Sequence, residues 1–159
     1  MFNRVLVALD ISERDKEVFE TALSIAKTHA ARLMLMYVLP ASEVAPRSPD
    51  QPEEEAIVSS IPGELRVRSL EMLRSLHATT KSANIHADFA QMHGEPGETI
   101  CQLAGSWGAD LIVMGHRGLT EAEESAFGGV GNYVRYHAPC SVQMVQDHGH
   151  VRQGYAYHA

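Results

Sequence analysis

Asp110-Leu-Ile-Val-Met-Gly115-His-Arg-Gly118, followed after nine residues by Gly128-Gly129-Val130-Gly131, is the stretch on which the reading of this chain turns. A short apolar run of strand type ends in glycines, and a second glycine cluster leads into a segment with helical spacing. Glycine lets a backbone come close to a ligand and adopt positive φ, and successive N–H groups at a helix N-terminus then face an anion. A phosphate cradle is commonly built this way. Gly-x-x-Gly alone also describes a plain structural turn, and the pattern does not choose between the two.

Outward from that stretch the pattern repeats. On its N-terminal side Pro96 stands where a first helical turn holds it, Ile100, Leu103, Ala104 and Trp107 form one apolar face, and Gly108 closes the helix. On its C-terminal side Asn132 to His137 reads as a short helix stopped by Pro139, and Ser141 to Gln146 as a last strand. At the start of the chain, Val5 to Leu9 is a buried strand ended by Asp10. Ser12 with Asp15 three residues on matches a capping box, and Val18, Ala22, Ile25, Ala26 and His29 follow helical spacing. Arg32 to Val38 is a second apolar strand. Leu39 to Gly63 carries Pro40, Pro46, Pro49, Pro52 and Pro62 with Glu53-Glu54-Glu55, and reads as a long loop. Leu65, Ser69, Met72, Leu73, Leu76 and Ala83 restore helical spacing, and Ile85 to Met92 alternates like a strand with one polar face.

Strands alternating with helices predict an α/β fold, a doubly wound five-stranded parallel sheet in the order 3-2-1-4-5 with helices on both faces. In such a sheet a ligand sits beyond the carboxyl ends of the strands where the winding reverses, between the first and fourth strands. Those ends carry Asp10 and Gly115, so the fold logic and the glycine signal point to one crevice.

The chain of 159 residues suits a single domain, expected over 1–146 with a tail over 147–159. Thirteen Lys and Arg against twenty Asp and Glu give a formal charge of −7, which argues against broad contact with nucleic acid or an anionic membrane. Val5-Leu-Val-Ala-Leu9 is too short for a signal-peptide core and no stretch approaches a membrane span, so a cytoplasmic protein is expected. Cys101 and Cys140 lack metal-binding or redox spacing and read as buried thiols.

From Asn3 to Gln146 the chain resembles the universal stress protein family. The resemblance is carried by Val7-Ala-Leu-Asp-Ile-Ser12, by Met114-Gly-His-Arg-Gly118 with its nine-residue gap, and by Gly128-Gly-Val-Gly-Asn-Tyr-Val134 leading to His137-Ala-Pro-Cys140-Ser-Val142. It implies the adenine nucleotide alpha hydrolase-like version of the doubly wound sheet, with ATP or another adenine nucleotide as ligand. By that resemblance Asp10 accepts hydrogen bonds from the ribose, while Ala8, Leu9, Val38 and Met114 surround the adenine. Gly115, Gly118, Gly128, Gly129, Val130 and Gly131 hold the phosphates through main-chain N–H groups. Asp10 as a helix cap and Val38 and Met114 as core residues are the plainer alternatives.

This chain departs from the family's pattern at two hydroxyl positions, now Gly129 and Gly131, so two side-chain donors to phosphate are absent. Each lost charge-assisted bond costs about 1.5–3 kcal/mol, or roughly tenfold to a hundredfold in affinity. The loop also carries Glu121, Glu123 and Glu124, which repel a triphosphate unless Mg²⁺ lies between them, against Arg117 as its only firm cation. Weak binding, or a ligand with fewer phosphates, is the expectation.

No catalytic residue is expected. The chain has no Gly-x-x-x-x-Gly-Lys-Ser/Thr loop, and its lysines Lys16, Lys27 and Lys81 fall on helices away from the glycines. Ser106 lies within a helix and reads as a surface serine, and His116 reads as a loop histidine or a phosphate contact. His148, His150 and His158 of the tail read as solvated, and no metal site is assigned.

Ser141-Val142-Gln143-Met144-Val145-Gln146 is expected at a sheet edge, with neither lysine nor proline to discourage pairing. Antiparallel pairing about a twofold axis then gives a homodimer, as the resemblance also implies. Two readings of function stay open: a nucleotide-responsive regulatory module of the stress response, and a dimeric stress or interaction protein with a vestigial pocket. The sequence names no downstream protein partner.

Overall fold

Five strands and four helices alternate along the chain: β1 (Arg4–Leu9), α1 (Asp15–His29), β2 (Arg32–Pro40), α2 (Gly63–Ser82), β3 (Ala87–Gly94), α3 (Pro96–Trp107), β4 (Leu111–His116), α4 (Val130–His137) and β5 (Ser141–Gln146). The computed structural model describes residues 1–40, 63–116 and 129–146. The strands form one all-parallel sheet in the order β3-β2-β1-β4-β5, the arrangement expected from the alternation.

Helices cover both faces, which is why the central strands are apolar at consecutive positions rather than at alternate ones. Odd-numbered residues such as Val5, Val7, Leu33, Leu35, Leu111 and Val113 pack under Val18, Phe19, Ala22 and Ala26 of α1 and Leu73 of α2. Their even-numbered neighbours, among them Leu6, Met36 and Ile112, pack under Ile100 and Ala104 of α3 and Val134 of α4. Each fully buried aliphatic side chain contributes about 1.5–3 kcal/mol, so the centre of the sheet is the most stable part of the fold. The outer strand β3, whose Phe89 packs in the same cluster as α1 and α2, is tied to α2 by polar groups as well. Gln91 Nε2 donates to Ser69 Oγ at 2.6 Å and to the Arg66 carbonyl at 2.8 Å.

Several boundaries differ from the sequence reading, each for a local reason. The third strand starts at Ala87 instead of Ile85, because the Ile85 N–H donates to the Thr80 carbonyl at the end of α2 and so belongs to that helix terminus. The fourth strand does not stop at Met114. It continues through Gly115 and His116, which stand in register with Val145 and Gln146 of β5. Leu39 and Pro40 belong to β2 and Gly63 to α2, so the expected long loop is shorter at both ends. The remainder of that loop and the tail lie outside the described residues.

The capping box expected between Ser12 and Asp15 does not form. Ser12 Oγ accepts from the Arg14 N–H at 3.2 Å, one residue short of the pattern. Asp15 reaches past Ser12, its carboxylate accepting from the N–H of Asp10 at 3.0 Å and of Ile11 at 2.8 Å.

Candidate functional site

Ala8 of β1 is in register with Met114 of β4, so Leu9 comes level with Gly115 and the chain leaves β1 at Asp10 beside the last residues of β4. Adjacent strands lie roughly 4.8 Å apart, which brings Asp10 close to Gly115 although the two are distant in sequence. The crevice expected where the winding reverses is therefore bounded by these two residues.

The turn from β1 to α1 is tightly organised. Ile11 has φ +55°, a left-handed conformation that a β-branched residue adopts at a cost of about 1–2 kcal/mol. What holds it there is Asp15, nine per cent exposed, whose two carboxylate oxygens accept from the successive N–H groups of Asp10 and Ile11. Burial, with the neighbouring Asp10 charge, pushes the Asp15 carboxyl up to about 6. Asp10 moves the opposite way. Burial raises its pKa, but hydrogen bonds from Ser12, Arg14 and Asp15 and the Arg14 charge outweigh that and leave it below the ordinary carboxylate value. Asp10 is thus an ionised acceptor at the mouth of the crevice.

Arg14 is the residue that reading the sequence missed. Its Nη2 pairs with Asp10 Oδ2 at 2.7 Å, and its Nε is buried with no hydrogen-bond partner. A β-carbon on Gly115 would stand 3.3 Å from that Nε and 3.4 Å from the Arg14 Cδ. A signal for it was present: Arg14, Val18, Ala22 and Ala26 recur every four residues, so the inward stripe of α1 extended by one turn lands on Arg14. In the sequence, Asp15 reads only as a capping residue.

Gly115 has ordinary strand geometry, since positive φ among the described glycines is confined to Gly94 and Gly108. Its bareness serves close packing under Arg14 rather than a special turn. His116 is the half-buried end of β4, not a loop residue. Ala8, Val38 and Met114 are buried together at the carboxyl ends of β1, β2 and β4, all on the α3 and α4 side. Leu9 projects to the opposite side, beneath α1.

The second glycine cluster lies at the start of α4. Gly129 is its N-cap, with φ −55° and ψ 147°, and Val130 and Gly131 occupy the first turn, two residues earlier than the expected Asn132. Because β4 and β5 are parallel, α4 runs back along the sheet and its N-terminus lies at the same carboxyl end as Asp10. The N–H groups of a first helical turn have no intrahelical acceptor, so this end offers donors to an anion. A β-carbon on Gly131 would come within 3.0 Å of Met144 Cε, so that glycine lets α4 settle closely on β5. Arg117, Gly118 and Gly128, with Glu121, Glu123 and Glu124, lie outside the described residues.

The mouth therefore combines an ionised carboxylate, a guanidinium, an apolar wall and a helix N-terminus. That set can accept hydrogen bonds from hydroxyls and neutralise an oxyanion. Ser106 lies on the surface of α3, its Oγ donating to the Leu103 carbonyl at 3.3 Å. β5 forms one edge of the sheet, with Ser141 and Gln143 exposed, Val142, Met144 and Gln146 half-buried and Val145 buried.

Comparison with known proteins adds to this geometry. The profile of the Universal stress protein family matches residues 1–146. A universal stress protein of Synechocystis sp. is 33% identical over 151 residues, covering 91% of this chain and 98% of its own length. Among solved structures, a universal stress protein in complex with cAMP superposes with a TM-score of 0.67 at 22% identity, covering 91% of this chain and 97% of the other. A universal stress protein family protein from Arabidopsis thaliana with AMP bound gives 0.66 at 21% identity, covering 96% and 97%.

Proposed function

Because the chain belongs to the universal stress protein family, we propose that it is a regulatory module that binds an adenine nucleotide at the mouth between β1 and β4 and performs no catalysis of its own. The observation that carries the reading is the juxtaposition of the ionised Asp10, paired with Arg14, and the bare strand residue Gly115, at the end of the sheet where α4 begins. Solved proteins of the same fold hold cAMP and AMP, which favours ligands with one phosphate.

In this reading the Asp10 carboxylate accepts from the ribose hydroxyls, and Ala8, Val38 and Met114 form the apolar wall for the base. Arg14 and the first-turn N–H groups at Gly129, Val130 and Gly131 meet the phosphate, together with Arg117, Gly118 and Gly128 from the loop. Arg14 supplies a positive charge where Gly129 and Gly131 supply no hydroxyl, and a charge-assisted bond is about twice as strong as a neutral one. A single phosphate needs no counter-ion beyond these groups, whereas ATP beside Glu121, Glu123 and Glu124 calls for Mg²⁺. Two copies pair through β5, and occupancy of the mouth is what a downstream protein senses in the cytoplasm.

Isothermal titration with AMP, ADP and ATP, with and without Mg²⁺, tests the proposal. AMP is expected to bind in the micromolar range and Asp10→Ala to weaken it. Gly129, which stands where the family's nucleotide-binding pattern has a hydroxyl, favours the competing reading of a dimeric stress protein with a vestigial pocket. That reading takes over if no nucleotide binds below millimolar concentration.

A further inference from the structure

At the opposite, amino-terminal end of the sheet a cavity of about 310 Å³ is lined by Arg4, Arg32, Leu33, His86, Ala87, Asp88 and Trp107. Arg4 and Arg32 are direct partners across β1 and β2, and both stand at even positions on the α3 side of the sheet. Like charges directly opposite one another on neighbouring strands are destabilising, so two arginines at partnered positions are a cost that folding alone does not explain.

Arg4 is held in place. Its Nη1 donates to the Trp107 carbonyl at 2.7 Å, its guanidinium lies 5.9 Å from the centre of the Trp107 ring, and a β-carbon on Gly108 would stand 3.3 Å from it. Capping the end of α3 accounts for that side chain in structural terms. It does not account for Arg32, whose backbone N–H donates to the Asn3 carbonyl at 2.9 Å but whose guanidinium makes no hydrogen bond or ion pair among the described residues, with Asp88 or any other carboxylate. Two guanidiniums and an imidazole line the cavity against the carboxylate of Asp88, while the nearby Asp110 carboxylate is engaged by the Asn3 and Arg4 N–H groups at 2.8 and 3.1 Å.

We propose that this cavity is a second ligand site, distinct from the mouth between β1 and β4, which takes a phosphate group through Arg4 and Arg32 with His86 as a further donor. Paired guanidiniums present several N–H groups in fixed planes, the geometry that suits a tetrahedral oxyanion, and Arg4 is already oriented. The inference stands independently of nucleotide binding at the other end of the sheet.

Trp107 is the chain's single tryptophan and lines this cavity, so its fluorescence reports on a ligand bound there. Titrating the full chain with inorganic phosphate, against sodium chloride at matched ionic strength, is expected to give a saturable change in emission. Arg32→Gln, which removes no side-chain hydrogen bond or ion pair among the described residues, is expected to weaken half-saturation about tenfold or more, the loss of one charge-assisted bond. Arg74→Gln, an equal loss of charge on the exposed face of α2, is expected to leave it unchanged, and Asp88→Asn to strengthen it. A response no larger than that to chloride overturns the site. So does saturation that Arg32→Gln and Arg74→Gln alter equally, while tighter saturation by succinate than by phosphate overturns the ligand class.

Discussion

Arg14 lies over Gly115: its Nε stands 3.3 Å from the point that a β-carbon on that glycine would occupy, with Val18 Cγ2 at 3.4 Å. The glycine of β4 thereby makes room for an arginine of α1, and that arginine holds Asp10 by its other end. Three positions spread over more than a hundred residues of chain are coupled through one guanidinium.

That coupling predicts what substitution does. Gly115→Val brings branched methyls against Arg14 and Val18, and overpacking of this kind costs about 1–3 kcal/mol. Urea denaturation is expected to show that loss, and titration with AMP a weaker affinity, because Arg14 is displaced from Asp10. Arg14→Gln keeps most of the volume and removes the charge. It is expected to weaken AMP about tenfold or more while leaving adenosine little affected. Equal losses for AMP and adenosine would show that Arg14 does not meet the phosphate.

Gly129 offers a test in the opposite direction. Among the described residues beyond its own chain neighbours, no atom lies within 4 Å of the position its β-carbon would take, and its φ of −55° suits any residue. Gly129→Ser therefore enters without strain and places a hydroxyl at the N-cap of α4. Serine and glycine differ by only a few tenths of a kcal/mol as caps, so thermal stability should hardly move. Affinity for ATP is expected to rise about tenfold by the return of one phosphate donor. Calorimetry on the variant and the parent checks both parts, and an unchanged affinity with an unchanged melting temperature would place the phosphate elsewhere.

The architecture was legible in the sequence because Val5 to Leu9 and Leu111 to Met114 are apolar at every position, which only burial on both faces allows. Punctuation by Asp10, Pro96 and Gly108 separated the elements. What sequence could not give was where backbone groups leave the ladder. The N–H of Ile85 is taken by Thr80, and Gly115 stays in the sheet because β5 continues beside it. The site was half legible. Asp10 and the glycines announce themselves by residue type, but Arg14 acquires a role only once β4 is beneath it, and no local pattern encodes a contact over that separation. The Ser12 and Asp15 pair has capping-box spacing, yet the left-handed turn at Ile11 brings the Asp10 and Ile11 N–H groups to Asp15 first.

Asp15 makes a pH dependence. Its carboxyl, raised to about 6 in the folded protein from an ordinary 3.8, keeps its proton after the unfolded chain has released it. Between about pH 4 and 6 the folded state thus binds more protons than the unfolded one, and this group's contribution to stability falls as pH rises through that window. Asp10 acts oppositely, because its lowered pKa gives stability that is present above the unfolded value and is lost only as pH falls below it. Urea midpoints measured from pH 4 to 7 for the parent and for Asp15→Asn should separate the two. The parent is expected to lose on the order of 2 kcal/mol relative to the variant between pH 4 and 7. Parallel curves would mean that Asp15 is ionised throughout.

The exposed edge of β5 leads to the last prediction. Ser141 and Gln143 are exposed, and no strand covers this side of the sheet among the described residues. An open edge without lysine or proline pairs readily with another, and antiparallel pairing about a twofold axis satisfies the free backbone groups of both copies while leaving no further edge to extend. Sedimentation at micromolar concentration is expected to give twice the chain mass. Ser141→Lys with Gln143→Lys sets two like charges from each copy near the axis without touching the buried Val145, and should give a folded monomer. A parent chain that sediments as a monomer would sink the pairing. A double variant that remains dimeric would move the interface to another face, leaving the nucleotide mouth between β1 and β4 unaffected in either case.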